Sequence, residues 1–138
     1  MAAIKGKNTK PEITVRKALH ARGFRFRLHD EKLPGKPDIV LRKYKAVIFV
    51  HGCFWHGHEC PDFRWPKTRP AWWRKKIRGN ASRDELSIKN LQLAGWRVAK
   101  VWECALPKHD QNCVTQLSGL TKWIVSKRNE FVMGDKNT

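Results

Sequence analysis

The run Lys45-Ala46-Val47-Ile48-Phe49-Val50 constrains the fold most. After Lys45 it has no polar face, so as a strand it must be covered on both sides. Such a strand belongs at the centre of a sheet with helices on each face. Asp38-Ile39-Val40-Leu41 reads as a neighbouring strand, joined to it by the short polar link Arg42-Lys43-Tyr44. Before them, Thr9-Lys10-Pro11-Glu12 has the form of a capping box with proline in the first turn. Val15, Ala18, Leu19 and Arg22 then recur at helical spacing, and Gly23 stops the helix. Phe24 to His29 alternates as a half-exposed strand does, and Leu33-Pro34-Gly35-Lys36-Pro37 is a turn.

Further along, helices are expected at about 70–79 and 82–94, the second ended by Gly95. Trp96 to Trp102 alternates as a strand. A last amphipathic helix, about 112–126, carries Cys113, Leu117, Leu120 and Ile124, with Cys113 as a packing thiol. The expected class is α/β: a restriction-endonuclease-like mixed sheet flanked by helices, with one long loop inserted. The 138 residues fit a single domain, 1–138, with a core of about 7–127 and a polar, frayed tail at 128–138.

The inserted loop, 51–69, opens with His51-Gly52-Cys53-Phe54-Trp55-His56-Gly57-His58-Glu59-Cys60. Loops of that length are usually functional or stapled. Zinc takes four nitrogen or sulfur ligands tetrahedrally. Cys53, His58 and Cys60 are close enough in sequence to wrap one ion. Cys104, just past the Trp96–Trp102 strand, is the best fourth ligand, since it would tie the loop to the sheet. A closed site of three cysteines and one histidine is structural. The competing reading is buried thiols beside a surface histidine-rich turn.

Pro37-Asp38, where a turn enters a strand, is the first half of a PD-(D/E)xK nuclease site. A carboxylate there can hold Mg²⁺. Alone, such a pair is more often just a turn. The second half is altered to Phe49-Val50-His51, so the backbone carbonyl of Val50 would have to serve as the other ligand. His51 or His56 could stand in for the missing lysine as general base. A histidine paired at the end of a buried strand is the alternative for His51, and a zinc-loop histidine for His56. Glu12 has a structural role in the capping box and could also face a metal site.

Charge separates the function classes. Lys and Arg total 29 against 12 acids, a net charge of +17. A polyanion offsets such self-repulsion, and nucleic acid is the usual one. The segment 63–78 places Arg64, Lys67, Arg69, Arg74, Lys75, Lys76 and Arg78 among Phe63, Trp65, Trp72 and Trp73. Basic groups contact phosphates and aromatics stack on bases. Trp72 and Trp73 point about 100° apart on a helix, so one can be core and the other exposed. No apolar run approaches the roughly 18 residues of a membrane helix, and Met1 to Ile4 is too short for a signal peptide. The expected location is cytoplasmic, nucleoid-associated in a bacterial-type cell, with no membrane partner.

The runs Leu33-Pro34-Gly35-Lys36-Pro37-Asp38, Phe49-Val50-His51-Gly52-Cys53-Phe54-Trp55-His56 and Val101-Trp102-Glu103-Cys104-Ala105-Leu106 strongly resemble the very-short-patch mismatch repair endonucleases. The resemblance runs from about Lys7 to Leu106. It implies a Mg²⁺-dependent enzyme nicking one strand 5′ to the thymine of a T:G mismatch. It implies Asp38 and the Val50 carbonyl as Mg²⁺ ligands, His56 as base, His51 as an aid to phosphate or metal water, and Glu12 as a further catalytic group. It places Cys53, His58, Cys60 and Cys104 on the family's zinc ligands. Phe54, Trp55 and Trp73 fall on aromatics that enter the duplex, and Asn80 on a polar residue that reaches the bases. Lys67 and Arg69 join them as DNA contacts. The implied partners are mismatched double-stranded DNA and repair-system proteins, and a monomer is expected. The stretch before the first helix is short for the family, whose N-terminal arm grips DNA. Two other readings remain: a restriction-like nuclease of broader specificity, and a non-catalytic zinc-stapled DNA-binding module.

Overall fold

The computed structural model describes residues 9–53, 56, 64–106 and 117–133. Helix α1 (Lys10–Ala21) leads to β1 (Arg27–Leu28), β2 (Ile39–Leu41) and β3 (Ala46–His51). Helix α2 (Pro70–Leu93), strand β4 (Arg97–Trp102), helix α3 (Ser118–Ile124) and strand β5 (Glu130–Met133) follow. The five strands form one mixed sheet in the order β1-β2-β3-β4-β5. The first three run antiparallel, while β4 and β5 run parallel to β3. The expected α/β class and the central position of β3 both hold.

Alternation along β3 divides the core. Ala46 and Ile48 face a cluster with Val15, Ala18 and Leu19 of α1 and Leu120, Trp123 and Ile124 of α3. Val47 and Phe49 face a second cluster with Leu91 of α2. Thr9 caps α1, its hydroxyl accepting from the Glu12 N–H at 3.4 Å. Gly23 leaves the helix at φ +83°, as expected.

Four expectations need correction. The helices at 70–79 and 82–94 are one continuous helix, α2. Gly79 inside it costs only about 1 kcal/mol relative to alanine, and burial of Ile77 and Leu91 carries the helix through. The strand at 24–29 shrinks to Arg27–Leu28, because Phe24 and Phe26 turn onto the α1 side of the core and Phe24 meets Tyr44 edge-on. Among the described residues the last helix is α3, seven residues long; Cys113 and the rest of 107–116 lie outside them. The supposedly frayed tail contains β5, whose Phe131 packs near the Trp123 ring with centroids 6.2 Å apart. No helix among the described residues is long and apolar enough to cross a membrane.

The turn before β2 is locked against α2. Gly35 has φ +74°, and a Cβ there would stand 2.6 Å from Ser87 Cβ and 3.3 Å from Phe49 Cε1. Gly35→Ala combines a left-handed conformation with overpacking. It should destabilise the protein by roughly 2–4 kcal/mol and displace the entry to β2. A melting temperature within a degree of wild type would contradict this close approach.

Candidate active site

Because β2 and β3 are antiparallel, the start of β2 and the end of β3 lie at the same end of the sheet. The carboxylate of Asp38, just before β2, accepts the Val50 N–H at 2.7 Å. The backbone of His29, just past β1, donates to the Asp38 carbonyl at 3.2 Å. Burial pushes the Asp38 carboxyl above the usual range, with the Val50 N–H and the charges of His29, His56 and Arg16 opposing. A cation beside it would lower the cost of ionising it.

Helix α1 brings Glu12 to this point. Its side chain does not return to the cap as a capping box would. It is 2% exposed, with one carboxylate oxygen receiving Arg16 and His29 Nε2, the latter at 2.7 Å. Glu12, His29 and Asp38 each offer a ligand atom within 4.8 Å of the other two. Two oxygens and a nitrogen at a partly desolvated spot are a donor set that fits a divalent cation.

Helix α2 supplies the other half from the opposite face of the sheet. His56 Nδ1 is paired with Asp84 Oδ2. The His51 ring, at the end of β3, stacks on His56 with centroids 3.8 Å apart and planes 6° apart. His51, His56 and Asp84 form a second group of three possible ligands within 4.8 Å. A neutral His56 that donates its Nδ1–H to Asp84 keeps its lone pair on Nε2.

His51 is only 4% exposed, and its Nδ1 has no hydrogen-bond partner among the described residues. Burial, then the neighbouring His56, lowers its pKa from 6.5 to about 3. The folded state therefore holds this ring neutral while the unfolded chain protonates it, so its contribution is lost as pH falls from about 6.5 towards 3. The loss should reach several kcal/mol at the acid end. Thermal melts of His51→Gln should show a flatter dependence between pH 7 and 4; an unchanged slope would contradict a buried neutral ring.

The structure thus brings together Glu12, Asp38, Val50, His51 and His56. It adds His29, Arg16 and Asp84, which the sequence did not single out. An acid at position 84 reads as a first-turn residue when the helix is thought to start at 82, and His29 reads as the end of a half-exposed strand. Cys53 and Cys104 belong to one cluster with Trp65, Trp102 and Val132. Phe54, Trp55, His58 and Cys60 lie outside the described residues. On the basic segment, Lys67 and Arg69 are exposed and Trp73 is half-buried. Asn80 accepts a hydrogen bond from Arg83. Trp72, 46% exposed, meets Trp73 edge-on at 4.8 Å, with Arg69 at 5.2 Å and Lys76 at 5.7 Å over its ring.

Several known proteins resemble this chain over most of its length. The family model described as DNA mismatch endonuclease Vsr matches residues 1–62. The chain is 51% identical over 106 residues to the type II nicking enzyme V.XorIIP of Xanthomonas oryzae, covering 77% of this chain and 78% of that protein. It is 46% identical over 124 residues to the type II nicking enzyme V.NmeAIP of Neisseria meningitidis, covering 90% and 88%. It is 48% identical over 106 residues to the DNA mismatch endonuclease Vsr of Escherichia coli, covering 77% and 68%. With acid and histidine groups converging at one end of its sheet and relatives of this likeness, the chain belongs to the Vsr family of mismatch endonucleases that nick DNA.

Proposed function

We propose that the protein is a Mg²⁺-dependent nickase that cuts one strand 5′ to the thymine of a T:G mismatch. The observation that carries this is the grouping of Asp38 with Glu12 and His29 at the end of the sheet where His51 stacks on the His56–Asp84 pair. Asp38 and the Val50 carbonyl would hold the ion, with Glu12 kept beside them by Arg16. Bound there, magnesium supplies positive charge to polarise the scissile phosphate and stabilise the leaving oxygen. His56 Nε2 takes the proton of the attacking water, and Asp84 stabilises the imidazolium so formed. His51 holds the plane of that ring by stacking.

Cys53 and Cys104 pack in one cluster. With His58 and Cys60 they would complete a tetrahedral thiolate-rich set, which suits a structural zinc. The exposed Trp72 and half-buried Trp73, on the basic helix, would act with Phe54 and Trp55 as wedges at the poorly stacked mismatch. Arg74, Lys75, Lys76 and Arg78 are exposed beside them to contact phosphates.

Nicking measured with and without Mg²⁺ on otherwise identical T:G and T:A duplexes tests the whole reading. Equal cutting of both would point to a broader nuclease. Binding without cutting under any condition would leave only a DNA-binding module. His56→Ala should slow single-turnover nicking roughly 10²–10⁴-fold. Asp84→Asn should slow it less, because the imidazole remains. Wild-type rates in His56→Ala would rule out its role as base.

A further inference from the structure

The group around Glu12 contains a donor that an oxygen-only magnesium site does not require. A ring nitrogen of His29 lies within 4.8 Å of ligand atoms of both Glu12 and Asp38, and Nε2 is the one 2.7 Å from Glu12. The ring is held there by the backbone: His29 sits at φ +48°, and its N–H is bonded to the Asp38 carbonyl. Histidine in that conformation is uncommon and costs some strain. Arg16 already offsets the charge of Glu12, on the same carboxylate oxygen that His29 approaches. A glutamine at position 29 could donate a comparable hydrogen bond to Glu12. What glutamine cannot offer is a neutral imidazole nitrogen.

We propose that His29 selects the ion at this site, its Nε2 serving as a nitrogen ligand that favours Mn²⁺ over Mg²⁺. Magnesium prefers oxygen donors and gives up its water reluctantly. Carboxylate and carbonyl oxygens suit manganese as well, and an imidazole suits the later first-row ions more than magnesium. Of these two ions, manganese is the one that tolerates a nitrogen donor beside two carboxylates and a carbonyl. When Nε2 turns to the ion, the His29–Glu12 hydrogen bond is given up and Arg16 keeps Glu12 in place. This inference rests on reading Asp38 as an ion-holding carboxylate.

The test is a titration of the full-length protein with Mn²⁺, following free Mn²⁺ by its paramagnetic resonance signal, with Mg²⁺ affinity obtained by competition. Wild type, His29→Gln and Asp38→Asn are compared, each with a melting curve to confirm folding. In wild type Mn²⁺ should bind more tightly than Mg²⁺. In His29→Gln the Mn²⁺ affinity should fall by about tenfold or more, the scale on which even groups adjoining a metal's ligands act. The Mg²⁺ affinity should change little, so the ratio between the two collapses. Equal weakening of both ions would mean that His29 merely positions Glu12, and would overturn the proposal. Undiminished Mn²⁺ binding in Asp38→Asn would place the ion elsewhere and remove the reading of Asp38 itself.

Discussion

Replacing Asp38 with Asn should leave a folded protein that binds duplex DNA and does not nick it. The Asn side-chain oxygen can still accept the Val50 N–H that Asp38 accepts at 2.7 Å, so the start of β2 keeps its anchor. The charge that draws the cation is gone. Transition-state stabilisation by a metal is worth several kcal/mol, so the expected loss is roughly 10³-fold or more in single-turnover rate. Duplex affinity should hold, because 29 basic residues carry it. Stability should move in the opposite sense. Burial raises the folded-state pKa of Asp38, so its favourable contribution is present at low pH and lost as pH rises through that raised value. At neutral pH without magnesium, the Asn variant should melt no lower than wild type. Magnesium should raise the melting temperature of wild type and not that of the variant. A variant that nicks at wild-type rates, or melts far below wild type, would contradict the assignment.

The largest stability effect should come from Arg97, at the start of β4. Its guanidinium donates to the carbonyls of Ile124 at 2.7 Å, Tyr44 at 2.9 Å, Trp123 at 3.1 Å and Arg128 at 3.3 Å. It also lies 4.8 Å from the Trp123 ring centroid. One side chain thus joins the end of α3 to the turn before β3 and the approach to β5. Hydrogen bonds from a charged donor contribute about 1.5–3 kcal/mol each, and some of these carbonyls would regain water. Arg97→Met should therefore cost roughly 3–5 kcal/mol, a fall of about 10–15 °C in melting temperature. Arg97→Lys should recover only part, since one ammonium cannot reproduce a planar fork spanning several carbonyls. A fall of less than about 2 °C in Arg97→Met would show that water replaces the whole network.

Helix α1, the turn at 33–37 and strands β2 and β3 were legible because their signals are local: a cap, a Pro-Gly turn and an uninterrupted apolar run. Asp38 and the histidines were legible because the chain concentrates unusual residues around β3. What escaped depended on tertiary contact. Gly79 looks like a helix end until Ile77 and Leu91 are seen to bury the same helix. Glu130-Phe131-Val132-Met133 is too short to outweigh its polar surroundings, and becomes a strand by pairing with Val98–Val101. His29 and Asp84 carry no local mark. Each matters only through a partner distant in sequence, Glu12 at 2.7 Å for the first and His56 for the second.

The order of the strands also divides the centre by distance along the chain. The β1–β2–β3 ribbon joins residues close along the chain, and with α1 it gathers Glu12, His29 and Asp38 into one half of the centre. Pairing of β3 with β4, such as Ala46 with Arg97, must first close a loop of about fifty residues, and loop closure of that length slows folding. Asp84 reaches His56 from α2, which lies inside that loop and packs on the sheet through Leu91. The group of Glu12, His29 and Asp38 is thus joined by contacts short along the chain, whereas the His56–Asp84 pair depends on a helix inside the long loop.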